Sequence, residues 1–222
     1  MRTDGLEKDE FPVRYSRREE ILNSFTHGFG AAFSVFGFIV LIFLSRRTGN
    51  VWAIAGSTVY GTSLIACHLA STLYHSFRNP KLKRIFRLID HSSIFLLISG
   101  TYTPFLFINL RGTLGWSMFG IVWGVAFLGI LYKAFFINRH PKLGGSMYVV
   151  LGLISVFTMR RLTMEIGLEG VLWIIGGGVS YLIGLVFCGS HDIPYNHTIW
   201  HLFSLVGAAC HFVAVAFYSL GA

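Results

Sequence analysis

Charged residues are scarce in this chain. Lys, Arg, Asp and Glu make up 13% of the 222 residues, against about 25% in an ordinary soluble domain. Hydrophobic residues make up 54% and aromatic residues 16%. This composition excludes an ordinary soluble domain and predicts a membrane protein. The 25 glycines are compatible with helices in a bilayer, because small residues let helix backbones approach closely there.

Cysteine is also rare, and its placement excludes a disulfide framework. Cys67, Cys188 and Cys210 are odd in number and all lie in apolar segments. They are predicted to be small buried hydrophobic residues.

Residues 1–24 contain neither the apolar core nor the cleavage site of a signal peptide. We expect residues 1–24 to be a cytoplasmic N-terminal arm and residues 25–222 to be one transmembrane domain.

Long apolar runs predict an all-α, polytopic fold. A helix that crosses the ~30 Å hydrocarbon core needs about 20 mostly apolar residues. The sequence contains seven such runs, at approximately residues 25–44, 51–75, 88–110, 114–136, 143–159, 171–188 and 199–220. The fifth run is the shortest and is interrupted by glycines. We therefore expect a bundle of seven transmembrane helices.

The net charge of +8 is distributed unevenly between the two sides of this topology. One side carries the basic residues Arg2, Lys8, Arg14, Arg17, Arg18, Arg78, Lys81, Lys83, Arg84, Arg87, Lys133, Arg139 and Lys142. The other side carries Arg46, Arg47, Arg111, Arg160 and Arg161. By the positive-inside rule, the N-terminus is expected in the cytoplasm and the C-terminus outside. The basic charge therefore indicates membrane orientation and no nucleic acid partner.

Three histidines are expected at the same cytoplasmic level. His75 ends the second predicted span, and His197 and His201 begin the seventh. The last two are four residues apart, so they share one face of a helix. Three neutral imidazoles with a fourth, open position are a common catalytic zinc shell. The sequence thus predicts a zinc site of these three residues, whereas His68 and His211, deeper in their helices, are predicted to be hydrogen-bonded packing residues.

Further polar residues are expected at this level, because ionisable residues within membrane spans are costly and usually functional. Asp90 opens the third span, and it can accept a hydrogen bond from water at the metal, orient a ligand imidazole or bind the metal itself. Ser71 lies one turn before the first predicted ligand, so its hydroxyl points to the metal or bonds to the carbonyl four residues earlier. Asp90 and Ser71 are the predicted catalytic residues. Glu20, Asn23 and His27 begin the first span at the same depth.

Four motifs in this order resemble one family over essentially the whole chain. They are "EEILNSFTHG", "STLYHS", "DHSSIFLLISGTYTPF" and "HTIWHLFSLVGAACHF". The set is similar to the hemolysin III family, the bacterial branch of the progestin and adipoQ receptor superfamily. The resemblance implies seven helices in the inner membrane of a bacterial cell, with the N-terminus cytoplasmic. It also implies zinc held by His75, His197 and His201, with Ser71 and Asp90 as the remaining motif residues.

Three functions fit these expectations. The first is a zinc-dependent intramembrane hydrolase that cleaves an amide or ester bond of a lipid, with a role in membrane lipid homeostasis. The second is a non-enzymatic sensor or regulator of the membrane state, in which zinc is structural. The third is a hemolysin-like pore-forming cytolysin, which should have an export signal and a soluble form, and the sequence shows neither. The expected ligand or substrate is a membrane lipid.

Overall fold

The protein is described here as a computed structural model, covering residues 15–137, 141–190 and 192–221. Over these residues the chain forms α-helices and one π-helical turn, with no strand. The helices are α1 (Arg17–Arg47), α2 (Val51–Ser76), α3 (Pro80–Ile108), α4 (Thr113–Phe136), α5 (Pro141–Leu153), α6 (Val156–Gly189) and α7 (Asn196–Val213), followed by a π-helical turn at Ala214–Ser219. The prediction of an all-α fold is confirmed for this part of the chain.

Helix α1 turns polar and small residues toward the bundle, and many large apolar residues of the protein lie on its surface. The buried residues of α1 recur every three or four positions and are mostly polar or small: Asn23, His27, Gly30, Ser34, Gly37, Leu41 and Ser45. On the opposite side, Phe25 is 71% exposed. Phe157 on α6 is 82% exposed. This pattern is the reverse of a soluble amphipathic helix, and it is expected where the surrounding solvent is hydrocarbon.

Six stretches of the described chain are long and apolar enough to cross a membrane. Five of them are α1, α2, α3, α4 and α7 with its π-helical extension, and the sixth joins α5 to α6 over the 47 residues Leu143–Gly189. Within this long stretch, Gly167 has φ 75° and ψ 169°, so the helix is interrupted there. Only glycine adopts such a backbone conformation readily. The interruption lies between the fifth and sixth runs of the sequence, near the expected loop.

The starts of α1, α2 and α3 are capped by short polar side chains. Ser16 and Glu19 form a capping box, in which the Glu19 amide donates to the Ser16 hydroxyl and the Ser16 amide donates to the Glu19 carboxylate. Asn50 caps α2 and Asn79 caps α3. Helix α1 therefore begins at Arg17, eight residues before the apolar run that was expected to start the first span. The last part of the expected N-terminal arm is helical.

The helices pack in a ring that is closed by the first and last of them. Helix α1 contacts α2 and α7, α2 contacts α3, and α3 contacts α4 and α5. Helix α6 packs mainly on α7. Gly56 of α2 lies so close to α3 that a Cβ atom there would be 2.8 Å from the Cα of Pro104. Small residues at such positions allow van der Waals packing between backbones inside a membrane.

We predict that Gly56→Val destabilises the fold by about 1–3 kcal/mol, because the added side chain would meet backbone that cannot rotate away. The matched control is Gly120→Val, since a Cβ atom at Gly120 would have no neighbour within 4 Å. Thermal unfolding of the two variants in detergent measures the difference. Equal melting temperatures would contradict the close α2–α3 contact.

A topology measurement distinguishes six membrane crossings from seven. If the chain reverses direction at Gly167, seven crossings place a C-terminal reporter outside the cell and a reporter between Arg78 and Arg87 in the cytoplasm. Fusions to alkaline phosphatase and to green fluorescent protein report the two sides. Both reporters on the cytoplasmic side would show that Leu143–Gly189 contributes one crossing.

Candidate metal centre

Three imidazoles converge where α2 ends and α7 begins. His75 lies in the last turn of α2, and His197 and His201 lie in the first turns of α7. One ring nitrogen from each histidine fits within a group whose members are all within 4.8 Å of one another. His75 and His201 are buried, and His197 is half-buried. The structure therefore brings together the three histidines that the sequence predicted as metal ligands.

Each of the three imidazoles is held through its Nδ1 atom. The Nδ1 of His75 is 2.7 Å from a carboxylate oxygen of Glu20. The Nδ1 of His201 is 3.2 Å from the hydroxyl of Thr26, and the Nδ1 of His197 is 3.7 Å from the sulfur of Cys188. The orienting groups therefore come from α1 and α6, whereas the histidines come from α2 and α7.

The Nε2 atoms on the other side of these rings are available to bind a cation. The Nε2 atoms of His75 and His197 are buried and have no hydrogen-bond partner among the described residues. An unpaired polar atom away from water costs free energy, and two such atoms on neighbouring rings fit ligation of one cation. Histidine ligands of metals commonly bind through one ring nitrogen while the other donates to an orienting group. The donor set thus suits a metal that accepts imidazole ligands, such as zinc.

The start of α1 forms much of the wall beside these histidines. Thr26 donates its hydrogen to the Asn23 carbonyl at 3.0 Å, so its oxygen is available to accept from Nδ1–H of His201. The side-chain oxygen of Asn23 accepts a hydrogen bond of 2.5 Å from Thr198 on α7. These contacts join the first and last helices at the level of the candidate metal centre.

Tyr15 covers the site from the segment just before α1. Its ring stacks on His197 with centroids 4.8 Å apart and lies 5.8 Å from the ring of His75. Burial raises the pKa of the Tyr15 phenol above its ordinary value, so this group stays neutral and donates rather than ionises. An aromatic cover of this kind limits access of bulk water to the histidines.

His27 continues the cluster beyond the three convergent histidines. It is 5% exposed, its ring centroid lies 3.9 Å from that of His201, and neither of its nitrogens has a partner among the described residues.

His68 differs from His27, because its Nδ1 is 2.9 Å from the Ser34 hydroxyl. His211 donates from Nε2 to the carbonyl of Ile174 at 3.1 Å. The prediction that His68 and His211 are hydrogen-bonded packing residues is confirmed.

Asp90 and Ser71 lie beside each other in the interior of the bundle. Both residues are buried, and the Asp90 carboxylate interacts with the Ser71 hydroxyl. Asp90 is not a member of the group of nitrogens that could share a metal ion. Since the three Nδ1 atoms are taken by Glu20, Thr26 and Cys188, Asp90 does not orient a ligand through them.

Lys133 is a basic residue whose charge acts on this pair. The sequence assigned it to the side of the membrane with more basic residues, and it lies in the last turn of α4 but is only 4% exposed. Its ammonium group lies 5.2 Å from the centroid of the Tyr148 ring, and its charge interacts with that of Asp90. A buried ammonium group is stabilised by such neighbours.

Cys188 was also misjudged from the sequence. A small buried hydrophobic residue was expected, but the cysteine is half-buried and its sulfur contacts a candidate ligand. No spacing rule relates Cys188 to His197, because the chain turns between α6 and α7. The sequence had already placed Glu20 at this depth, and Thr26, three residues after Asn23, could have been found by the same helical spacing.

The comparisons with known proteins all point to one group of membrane proteins. The family model described as "Haemolysin-III related" matches residues 15–212. The chain is 42% identical to Hemolysin-3 of Bacillus cereus over 203 residues, which cover 91% of this chain and 93% of that protein. It is 39% identical to the Hemolysin-3 homolog of Bacillus subtilis (strain 168), covering 92% and 96%.

A more distant similarity extends to animals. The chain is 27% identical to the human monocyte to macrophage differentiation factor, over 89% of this chain and 83% of that protein. No solved structure matches. The motif resemblance is confirmed by the family match.

We predict that the purified protein binds one zinc ion per chain and that the triple variant His75→Ala, His197→Ala, His201→Ala loses it. The physical reason is that the triple variant has none of the three convergent nitrogens. The control is His211→Gln, which keeps a donor toward Ile174 and lies outside the group. Elemental analysis after dialysis measures the metal, and full zinc content in the triple variant would contradict the ligand assignment.

Proposed function

The chain belongs to the haemolysin-III-related family, and from that membership and its site we propose a zinc-dependent hydrolase within the membrane that cleaves an amide or ester bond of a lipid. One observation carries the proposal. Three imidazoles with their Nδ1 atoms occupied converge beside a buried Ser71–Asp90 pair. Ligands and an acid–base group lie together inside an apolar bundle, as a hydrolytic site requires.

His75, His197 and His201 would hold the metal ion. Zinc bound there would supply Lewis acidity, which polarises a carbonyl group and makes water a better nucleophile near neutral pH. Glu20, Thr26 and Cys188 keep the three rings in place through their Nδ1 atoms. The histidines therefore need little rearrangement when a metal ion enters, and preorganisation of this kind is what catalytic sites depend on.

Asp90 would act as the general base and then as the general acid. Its carboxylate is buried and is not used to orient a ligand imidazole, so it is free to take a proton from the attacking water and deliver it to the leaving group. While Asp90 is ionised, its carboxylate accepts the hydroxyl hydrogen of Ser71. As Asp90 takes the proton from water, this hydroxyl would be released to donate to the oxygen that gains negative charge in the transition state. The nearby ammonium group of Lys133 compensates the charge of Asp90 before proton transfer.

The outer surface of the bundle supports a lipid as the substrate. Large apolar side chains such as Phe25, Phe29 and Phe33 of α1 are more than half exposed, so acyl chains can lie directly against the protein. The candidate metal centre lies at the ends of α2 and α7 rather than at their midpoints. The linkage between headgroup and acyl chain of a lipid lies at the corresponding depth of a bilayer.

We also propose seven crossings, with the metal centre on the cytoplasmic side of a bacterial inner membrane. A straight helix of the 47 residues Leu143–Gly189 would measure 70 Å at 1.5 Å per residue, about twice the ~30 Å hydrocarbon core. A reversal at Gly167 would divide it into two spans of ordinary length. Arg160 and Arg161 would then lie at the outer end, which matches the excess of basic residues on the opposite side.

A second candidate function is regulation of the membrane state with a purely structural metal. It is favoured by one observation: the contacts at the candidate metal centre join α1, α2, α6 and α7, so a bound ion would stabilise the bundle whether or not a reaction occurs. The two functions predict different effects of substituting Asp90, so a variant at this residue distinguishes them.

We predict that Asp90→Asn retains zinc but lowers lipid hydrolysis by about 10²–10⁴, the usual contribution of a general acid–base group. The amide preserves the shape of the side chain and removes its charge. The measurement combines zinc content, melting temperature and release of fatty acid or long-chain base from mixed micelles of phospholipid and ceramide. The matched control is Asp192→Asn, because Asp192 is exposed before α7.

A structural metal gives the opposite pattern. Hydrolysis would then be absent from the wild-type protein as well, or unchanged by Asp90→Asn, while metal affinity and melting temperature fall together. That result would refute the hydrolytic role of Asp90 and favour the regulatory function.

A further inference from the structure

We propose that Glu20 is a positioning residue for the candidate metal centre: its carboxylate fixes the His75 imidazole so that Nε2 faces His197 and His201, and Lys83 fixes Glu20. The inference rests on the metal site of the proposed function, but not on the hydrolytic reaction. It assigns a purpose to the first turns of α1, which contribute no metal ligand.

The Glu20 carboxylate makes one contact with each of its two oxygens. Oε2 lies 2.7 Å from the Nδ1 of His75, and Oε1 lies 2.5 Å from the Nζ of Lys83. The His75 side chain is completely buried, and the other two are less than one-fifth exposed. Charge-assisted hydrogen bonds of this length are among the stronger ones in proteins, and here they are shielded from bulk water.

The contact selects one tautomer of His75. An ionised carboxylate can only accept hydrogen bonds, so the hydrogen of the neutral imidazole must reside on Nδ1. The lone pair is then on Nε2, the buried atom that has no partner among the described residues. The Thr26 hydroxyl donates to the Asn23 carbonyl and so makes the same selection at His201, whereas the Cys188 thiol can either donate or accept and imposes it less strictly at His197. Glu20 is the charged group among the three, and charge-assisted hydrogen bonds are stronger than neutral ones, so it is the strongest orienting group that contacts these histidines.

Lys83 limits the orientation of the carboxylate. It lies in the first turn of α3, after the Asn79 cap, and its ammonium group also sits 5.0 Å from the centroid of the Tyr74 ring. With one oxygen held by Lys83, the carboxylate plane cannot rotate freely around its bond to Cγ. The chain Lys83–Glu20–His75 thus transmits the placement of α3 and α1 to a ligand on α2.

The first turn of α1 is itself well fixed. Ser16 and Glu19 close a capping box one residue before Glu20, and Tyr15 lies across the rings of His197 and His75. Glu20 is therefore positioned next to His75 by a helix end in which the capping box pairs the backbone amides of Ser16 and Glu19. A flexible terminus could not hold a carboxylate within hydrogen-bond distance of a buried ring.

The test compares Glu20→Ala, Glu20→Gln and Lys83→Met by zinc competition with a chromophoric chelator. Loss of an outer-shell partner typically weakens metal binding 10–100-fold, and we expect a loss in this range for Glu20→Ala. Glu20→Gln keeps an oxygen that can accept from Nδ1–H, so it should recover part of the affinity. Lys83→Met should cause a smaller loss than Glu20→Ala, and no additional loss when combined with it.

A second readout separates positioning from general stability. Cobalt(II) absorbs visible light with bands that depend on ligand geometry, so the Co²⁺-loaded Glu20→Ala variant should show shifted bands. The control is Glu169→Ala, which removes a glutamate that contacts the Tyr218 hydroxyl at 3.3 Å and should leave both the spectrum and the zinc affinity unchanged. Lys83→Met supplies the same measurement if Glu20→Ala does not fold.

Each outcome decides the proposal. Wild-type affinity and an unchanged cobalt spectrum in Glu20→Ala would overturn it, as would a lower melting temperature of the apoprotein with no spectral change. A wild-type protein that binds no zinc would overturn the metal site and this inference together. Weakened zinc binding in Glu20→Ala, in a protein that hydrolyses no lipid, would support the positioning role while refuting only the proposed reaction.

Discussion

The requirement that buried polar groups be paired, in a solvent that offers no hydrogen bonds, determines most of this structure. In hydrocarbon an unsatisfied polar group costs several kcal/mol. The polar residues of α1 accordingly face the bundle, and they reach across it to α2 and α7. Ser34 meets His68, Asn23 meets Thr198, and Glu20 meets His75. Some buried polar atoms have no partner among the described residues, and they include Nε2 of His75 and His197 and both nitrogens of His27. A functional role explains the burial of these imidazole nitrogens better than packing does.

The sequence was sufficient to predict the all-α fold class and the convergence of three histidines, because both depend on strong and local signals. Apolar runs identify membrane helices, and ionisable residues at their ends stand out against that background. The convergence of His75 with His197 and His201 followed from the alternation of spans alone. The number of crossings was harder to predict, since the helix interruption at Gly167 depends on one backbone conformation that glycine permits but does not require.

The second layer of the site could not be derived in the same way. Orienting a ligand imidazole was one of three roles that the sequence left open for Asp90, yet it is Glu20 that contacts the His75 ring. Both residues lie at the same depth, and only the lateral arrangement of α1, α2 and α3 decides between them. Lys133 and Cys188 show the same difficulty, because their contacts with Asp90 and His197 depend on how helices rotate about their axes. Depth in the bilayer can be read from a linear pattern, but rotation depends on packing between helices.

The joining of the first helix to the last has a consequence for how the protein is made. Thr26 and His201 are 175 residues apart in the chain, so at a synthesis rate of 5–20 residues per second roughly 10–35 s separate their emergence from the ribosome. During this interval Glu20 and His75 are already in place on α1 and α2 but lack two of the three ligands. A metal ion at the candidate centre would therefore be captured only after α7 has entered the membrane, and its binding would mark a chain in which α1, α2 and α7 are already packed together.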